Sequence, residues 1–182
     1  MGSFREAVFA FAADEGRSFA ARRGELLQRP RALDSPLFLF TDGAAQAFVD
    51  APDGSRQTLR LGYPGEMLGA LPGLFLDVAT PIGIEALRAC AGYVVTSTQL
   101  RAFVASSPAR AAAYTSMLEG FACGLMAREL DLLEPSPARR YATVLERSPQ
   151  LFAHVPLRYI ASYLRMTPET LSRVRRRAAA KT

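Results

Sequence analysis

Four arginines stand close together near the end of the chain, in the segment 168-PETLSRVRRRAAAKT-182. They are Arg173, Arg175, Arg176 and Arg177. Guanidinium groups bind phosphate oxygens and can pair with the base edge of guanine, and a carboxylate such as that of Glu169 can accept a hydrogen bond from cytosine. The chemistry open to this segment is therefore the binding of a polyanion, and double-stranded DNA is the candidate.

The basic charge is concentrated in the last quarter of the chain. Residues 139–182 hold ten Lys and Arg but only two acids, which gives this part a net charge of +8, whereas residues 1–138 have a net charge of −3. Surface helices usually mix the two signs for solubility. The imbalance predicts that the surface facing a polyanion lies at the C-terminal end.

The residues before and within this segment have the pattern of two short helices joined by a tight turn. Apolar residues recur at helical spacing and would face each other; they are Ile160, Leu164, Met166, Leu171 and Val174. Thr167 can cap the second helix and Pro168 suits its first turn. The outer face of the second helix would then carry Glu169, Ser172, Arg173 and Arg176. A helical hairpin whose basic face is only solvated is the alternative, and the charge imbalance favours DNA.

The first hundred residues predict a β-rich domain behind an N-terminal helix. Residues 3–21 have a helical pattern, and short apolar runs with turn signals follow from Gly24 to about Thr98, spaced as in an all-β barrel or sandwich. Asp53 and Gly54 lie between two alternating runs, which is a hairpin signal.

A long helix is predicted from Pro108 to about Leu133. Apolar residues in it have the spacing of a coiled-coil seam, interrupted by Arg128. The seam consists of Tyr114, Leu118, Phe121, Leu125 and Leu132. Such a helix either forms a dimer or packs on its own barrel. The broken segment 134–137 then separates it from a domain of helices only, at 138–147, 156–164 and 168–179.

The segment 155-VPLRYIASYLRMTPETLSRVRRR-177 resembles the helix-turn-helix of the Crp/Fnr family of transcription regulators, especially a compact group of that family without a C-terminal wing. The resemblance extends over nearly the whole chain. It implies an α+β fold with a β-roll (jelly roll) of the cyclic-nucleotide-binding type at 1–107, a dimerisation helix at 108–134 and a helix-turn-helix domain at 138–182. The seam Tyr114, Leu118, Phe121 and Leu125 would then join two protomers.

The resemblance also implies roles for individual residues of the motif. Glu169 and Arg173 match positions that read base edges, and Thr167 and Thr170 match positions that touch phosphate; Arg158 could touch phosphate as well. We expect Ser172 and Arg176 to lie on the same face and Arg175, Arg176, Arg177 and Lys181 to attract phosphate. Pro168 replaces a third base-reading residue, so the sequence preference should differ from that of the cyclic-AMP receptor. Arg165 replaces a glycine of the turn, which would carry a modest strain if φ is positive there.

Nucleotide-binding members of the family hold the ribose with a Glu and the cyclic phosphate with an Arg. The segment 65-GEMLGALPGLFLDVATPIGIEAL-87 places Ala70 and Thr80 at these positions. Neither can replace the charged group, so tight binding of cyclic AMP or cyclic GMP is not expected. Leu74, Phe75, Leu76 and Ile82 could line a binding site for an apolar effector. The alternative is that these residues only pack the core. Two cysteines cannot supply the four thiolates of an Fnr-like iron–sulfur cluster, and no cofactor is expected.

Other classes of function find little support in the sequence. Cys90 and Cys123 form no CxxC pair, and the single histidine, His154, lies among apolar residues, so no metal site is predicted. Nucleotide-binding loops and nucleophile motifs of enzymes are absent. The chain has neither a signal peptide nor a transmembrane run, which predicts a cytoplasmic protein that is not an enzyme and has no membrane partner.

The sequence therefore predicts a homodimeric transcription regulator that binds double-stranded DNA and does not depend on a cyclic nucleotide. RNA polymerase is a candidate partner, and the effector is unidentified. The alternative is a small-molecule sensor whose β-roll binds an unidentified apolar compound or metabolite.

Overall fold

The computed structural model describes residues 3–180, which form eight helices and eight strands. In chain order these are α1 Phe4–Glu15, β1 Arg17–Ala21, β2 Leu26–Gln28, β3 Leu37–Asp42, β4 Ala45–Asp50, β5 Arg56–Gly62, β6 Met67–Leu68, α2 Leu71–Leu76, β7 Gly83–Ala86, β8 Cys90–Val95, α3 Ser97–Ala105, α4 Pro108–Leu133, α5 Pro137–Arg147, α6 Leu151–His154, α7 Leu157–Tyr163 and α8 Pro168–Ala179. The chain is thus a β-roll followed by helices, as the sequence predicts.

Two antiparallel four-stranded sheets form the β-roll. The first has the order β1-β8-β3-β6 and the second the order β2-β7-β4-β5. Alternating residues point into the space between the sheets, where Phe38 and Phe40 of the first sheet meet Ala45, Ala47 and Ile84 of the second. Small residues on one side and aromatic rings on the other fill the narrow interior.

Helices cover the outer face of the first sheet. Leu39 and Val95 point away from the roll interior and pack with Val8 of α1 and with Leu100 and Phe103 of α3. The helix predicted over 3–21 is wrong in its second half, because α1 ends at Glu15 and residues 17–21 are strand β1. These residues pair with β8, from Arg17 opposite Val94 to Ala21 opposite Cys90. Pairing with a strand more than seventy residues away overrides the local preference for helix.

The long helix α4 has the predicted bounds because its ends carry clear signals. Ser107 caps it by accepting a hydrogen bond from the amide of Arg110 (3.2 Å), and Pro108 occupies the first turn. Pro135 follows its end, and Ser136 caps α5. No helix within residues 3–180 is long and apolar enough to cross a lipid bilayer.

The C-terminal helices share a hydrophobic core with the β-roll. Their buried residues Val144, Leu151 and Ile160 cluster with Ala44 and Leu87, which flank β4 and β7. The amide of Thr58 in β5 also donates a hydrogen bond to the hydroxyl of Ser162 in α7 (3.2 Å). The helix-turn-helix is therefore packed on the second sheet in this structure.

The turn between β3 and β4 contains a glycine, Gly43, whose replacement tests how closely the backbone of the β-roll is packed. Gly43 has φ 78°, and a Cβ atom there would lie 2.1 Å from the carbonyl oxygen of Ala89. Gly54 has the same φ of 78° but no atom within 4 Å of such a Cβ. We predict that Gly43→Ala lowers the free energy of unfolding by about 2–4 kcal/mol and Gly54→Ala by about 1 kcal/mol, because only the first adds a steric clash to the backbone strain. Urea unfolding of the two variants measures the difference, and equal losses would contradict it.

Candidate nucleic-acid interface

Helices α7 and α8 form the predicted helix-turn-helix. Four residues on their facing sides are completely or almost completely buried; they are Ile160, Ala161, Leu164 and Leu171. Thr167 caps α8 as expected, since its hydroxyl accepts a hydrogen bond from the amide of Thr170 (3.2 Å). The small side chain of Ala161 belongs to the same buried cluster. This packing fixes which side of α8 points outward.

The outward face of α8 carries the predicted DNA-binding residues. Its exposed positions are Thr167, Pro168, Glu169, Ser172, Arg173, Arg176 and Arg177, whereas Thr170, Val174 and Arg175 are partly buried. Between residues 3 and 180, no ion pair or hydrogen bond engages the side chain of any of the four arginines of α8. Lys181 lies outside the described residues. Among residues 3–180, the structure thus leaves Arg173, Arg176 and Arg177 facing solvent without an ion pair, with Glu169 on the same face.

Glu169 stands at the N-terminal end of this face. Its pKa is lowered, because the carboxylate accepts hydrogen bonds from its own backbone amide and from Thr167. The group is therefore ionised at neutral pH and available as a hydrogen-bond acceptor. Its position beside the positive end of the helix dipole suits a carboxylate.

Arg158 lies on the neighbouring helix α7. It is exposed, its guanidinium group is 4.5 Å from the ring centroid of Tyr159, and it donates a hydrogen bond to the hydroxyl of that tyrosine. Stacking restricts the side chain without neutralising it. The cation stays accessible from the side of the motif.

The turn between the helices contains the predicted strained residue. Arg165 has φ 53°, the left-handed conformation that its replacement of a family glycine suggested. Its guanidinium group donates a hydrogen bond to the side-chain oxygen of Gln57 in β5. A non-glycine residue in this conformation costs about 1 kcal/mol or more, so the contact with the roll offsets part of the strain.

The residues of the predicted seam on helix α4 have different environments within the single chain. Tyr114 packs on Phe4 of the same chain (ring centroids 5.2 Å apart), and the guanidinium group of Arg60 lies 5.8 Å from the ring of Phe121. Leu118 is partly buried and Leu125 is exposed. The predicted seam therefore mixes residues that contact the chain's own β-roll with residues that face solvent.

The solvent-facing side of α4 carries a second apolar row that the sequence reasoning missed. We call the row of Cys123, Met126, Leu130 and Leu133 the α4 stripe; all four are exposed and follow each other at spacings of three, four and three. This is the spacing of a coiled-coil seam. The same spacing is present in the sequence, but only the fold shows that this row faces solvent.

The cassette positions offer no charged group for a nucleotide. Ala70 is 0% and Thr80 is 3% exposed. The Thr80 hydroxyl accepts from the amide of Ile82 (3.4 Å), and its carbonyl accepts from the amide of Arg31 (2.7 Å). Both residues are thus enclosed by their own chain.

The four residues that could line an apolar effector site do not converge. Leu74 packs with the helices outside the first sheet and Ile82 packs on the roll interior, whereas Phe75 and Leu76 face solvent. A groove of about 540 Å³ does open elsewhere, at the β1–β2 edge of the roll, with Arg17 and Arg29 beside Phe19, Phe38 and Val94. That volume falls within the range of small-molecule sites.

The thiols and the histidine have ordinary environments. Burial raises the pKa of Cys90 to about 11, with smaller contributions from Asp42 and Glu25, whereas Cys123 is exposed on α4. His154 stacks on Tyr63 with ring centroids 5.9 Å apart, which is a structural role as expected. Within the part of the chain that the structure describes, no three His, Cys, Asp or Glu residues are grouped as metal ligands.

The fold is shared with known regulators, although neither protein-family models nor curated protein sequences match this chain. FixK2 from Bradyrhizobium japonicum is similar over 91% of this chain and 85% of its own, with 20% identity and a TM-score of 0.76. The catabolite activator protein of Thermus thermophilus matches over 97% of this chain and 84% of its own, with 22% identity and a TM-score of 0.57.

A third similar structure is CLP of Xanthomonas campestris, described as a c-di-GMP-responsive global regulator. It matches over 97% of this chain and 92% of its own, with 16% identity and a TM-score of 0.66. These matches confirm the predicted resemblance to Crp/Fnr regulators at the level of the fold: a cyclic-nucleotide-binding-type β-roll, a long helix and a helical C-terminal domain.

Proposed function

We propose that this protein is a homodimeric, sequence-specific DNA-binding regulator of transcription. The observation that carries the proposal is the exposed face of α8, which holds Arg173, Arg176 and Arg177. Arg175 beside it is partly buried, and none of the four arginines has an acidic partner among residues 3–180. The positive charges of these arginines repel one another, and bound phosphates would neutralise them and remove that repulsion. The fold shared with regulators supports the same function.

In this proposal α8 enters the major groove. Glu169 and Arg173 are one turn apart on the exposed face and read base edges, with Ser172 and Arg176 beside them. Thr167, Thr170, Arg158 and Arg177 contact phosphates, and Pro168 at the start of α8 contributes no donor. The base-reading set differs from that of the cyclic-AMP receptor, so the operator should differ as well.

The dimer in this proposal forms along the α4 stripe. Met126, Leu130 and Leu133 are large apolar residues that one protomer leaves in contact with water. Burying them against a second copy, together with Leu118 and Leu125, removes that cost. Two α8 helices about one duplex turn apart, roughly 34 Å, would then read a site with two-fold symmetry. Tyr114 and Phe121 support α4 from the side of the β-roll.

We further propose that DNA binding does not require a cyclic nucleotide. Ala70 and Thr80 provide neither an acceptor for a ribose hydroxyl nor a charge for a phosphate. In the alternative function, a sensor with an unidentified effector, the groove at the β1–β2 edge would be the binding site. In either case the protein acts in the cytoplasm, where DNA and RNA polymerase would be its partners.

The base-reading and phosphate-binding roles can be separated by two arginine variants. We predict that Arg173→Ala lowers affinity for a selected site by about 1–3 kcal/mol and flattens preference among base substitutions. Arg177→Ala should weaken all duplexes by a similar factor and reduce the slope of log affinity against log salt by about one. Fluorescence anisotropy with the selected and a scrambled duplex measures both. If the two variants bind both duplexes like the parent, the assignment of roles is wrong.

The dimer interface can be tested with two leucines that are equally exposed in one protomer. Leu133 on the α4 stripe and Leu33 in the loop after β2 are both 74% exposed. We predict that Leu133→Glu yields a monomer, because a buried interface cannot accept two unpaired carboxylates, whereas Leu33→Glu leaves the dimer intact. Sedimentation equilibrium distinguishes the masses. A dimeric Leu133→Glu variant would place the interface elsewhere.

Cyclic nucleotides provide the test of the cassette. Isothermal titration calorimetry with cyclic AMP and cyclic GMP should detect no binding with a dissociation constant in the micromolar range, because nothing charged at position 70 or 80 offsets the desolvation of the phosphate. The double variant Ala70→Glu, Thr80→Arg introduces the two charged side chains and is titrated beside the parent protein for comparison. Micromolar binding to the parent protein would overturn the proposal.

A further inference from the structure

The C-terminal end of α7 is held by two arginines from other helices. The side chain of Arg128 in α4 donates a hydrogen bond to the carbonyl oxygen of Tyr163. Arg140 in α5 donates to the carbonyl oxygens of Leu164 (3.0 Å) and Arg165 (3.3 Å). The last carbonyls of a helix lack partners within the helix and carry partial negative charge, so guanidinium groups suit them well.

Arg128 is an unusual residue for its environment. It is 7% exposed, and its guanidinium carbon lies 3.7 Å from the ring centroid of Tyr163. No carboxylate among residues 3–180 forms an ion pair with it, and its Nη1 atom has no hydrogen-bond partner there. Asp131, one turn further along α4, pairs instead with Arg147 (2.5 Å).

Burial of this cation costs stability. Desolvation is the largest cause and lowers the pKa of Arg128; Tyr163 and Asp131 oppose this shift, whereas the nearby charges of Arg60 and Arg165 add to it. An unpaired buried charge is generally worse for stability than an apolar side chain of the same volume. The favourable contacts with Tyr163 do not satisfy the whole guanidinium group, so stability alone does not account for an arginine at this position.

The place of Arg128 in the fold suggests another role. Its partner carbonyl belongs to the last residue of α7, and residues 164–167 lead directly from there into α8. Other contacts of α7 reach the β-roll, for example from Ser162 to Thr58, and Arg140 of α5 bonds the residues that follow α7. The Arg128 contact therefore links the helix-turn-helix itself to the proposed dimerisation helix.

We propose that Arg128 is a positioning residue that fixes the orientation of α8 relative to α4 and thereby sets the spacing of the two DNA half-sites. The inference rests on the proposed function and adds to it a residue that touches no DNA. Because two α8 helices must meet one duplex together, a small rotation of each helix-turn-helix about α4 changes the separation of the helices on the DNA.

The first test compares DNA spacing preferences. Symmetric sites selected with the parent protein are lengthened or shortened at their centre by one and two base pairs. We expect the parent to lose roughly tenfold or more in affinity for each change, because the half-sites rotate around the duplex. Arg128→Met should lower affinity for the best site and bind all spacings within a factor of about three, since each half-site contact survives.

Stability separates positioning from structural support. Arg128→Met removes a buried unpaired charge at nearly constant volume, so its melting temperature should equal or exceed that of the parent. Arg128→Lys keeps one donor for the Tyr163 carbonyl and should restore part of the spacing preference. Arg139→Met is the matched control, because the Arg139 side chain is 79% exposed and bonds no carbonyl of α7. It should keep the parent's spacing preference.

The second test measures the helices without DNA. A nitroxide label at Ala179→Cys, an exposed residue at the end of α8, is placed in a Cys123→Ala background. This replacement keeps the α4 stripe apolar, and sedimentation equilibrium first checks that the background protein is a dimer. Buried Cys90, with its pKa raised to about 11, should not label at pH 7. Electron–electron double resonance should give one narrow distance distribution across the parent dimer and a broad one for Arg128→Met.

The outcomes are distinguishable. If the parent is a dimer but binds no DNA, the proposed function fails while the distance measurement still decides whether Arg128 positions α8. If Arg128→Met keeps both the spacing preference and the narrow distribution, the inference is wrong. If Arg128→Met melts well below the parent and Arg128→Lys behaves like the parent in both assays, Arg128 only supports the fold and the inference is equally wrong.

Discussion

The packing of α7 against α8 determines what the rest of the molecule can present to a partner. Ile160, Leu164 and Leu171 are completely buried, and this one-sided burial leaves the opposite side of α8 exposed among residues 3–180. Since α8 is short and strongly amphipathic, three of its four arginines lie on the solvent side, and Arg175 is partly buried. A basic face of this kind follows from hydrophobic packing at least as much as from the charges themselves.

The shared core makes the helix-turn-helix part of the same packed body as the β-roll. Ala44 and Leu87 belong to the cluster that also contains Leu151 and Val155. Close-packed interfaces do not deform continuously. A change in the β-roll would therefore shift the C-terminal helices from one discrete packing arrangement to another. β5 adds polar contacts to α7 and to the turn through Thr58 and Gln57. An effector that altered β4 or β5 would therefore act on α8 through contacts already in place.

Local patterns in the sequence predicted the elements whose signals are local. The bounds of α4 and the capped start of α8 follow from Ser107, Pro108, Thr167 and Pro168, and helical periodicity sufficed to find the exposed face of α8. Strand β1 could not be predicted in this way, because its partner β8 is remote in sequence. The sequence reasoning identified one apolar row of α4 and missed the α4 stripe, because the fold around a helix determines which of its residues face solvent. The resemblance to a known family supplied the order of the domains, which periodicity alone does not give.

Two arginines around the end of α7 are unfavourable residues for their positions, and the same physical explanation applies to both. Arg165 adopts a left-handed backbone conformation that glycine would adopt at less cost, and Arg128 buries a charge that an apolar residue would avoid. Each residue lowers stability but makes a contact between the helix-turn-helix and another element. Arg165 contacts Gln57 in the β-roll, and Arg128 of α4 contacts Tyr163. Local conflicts that persist in a folded protein tend to mark functional positions. Two such conflicts meet at one helix end: Arg165 lies two residues beyond the last residue of α7, and Arg128 bonds the carbonyl of that last residue. A motif requires such contacts if its orientation matters more than its stability.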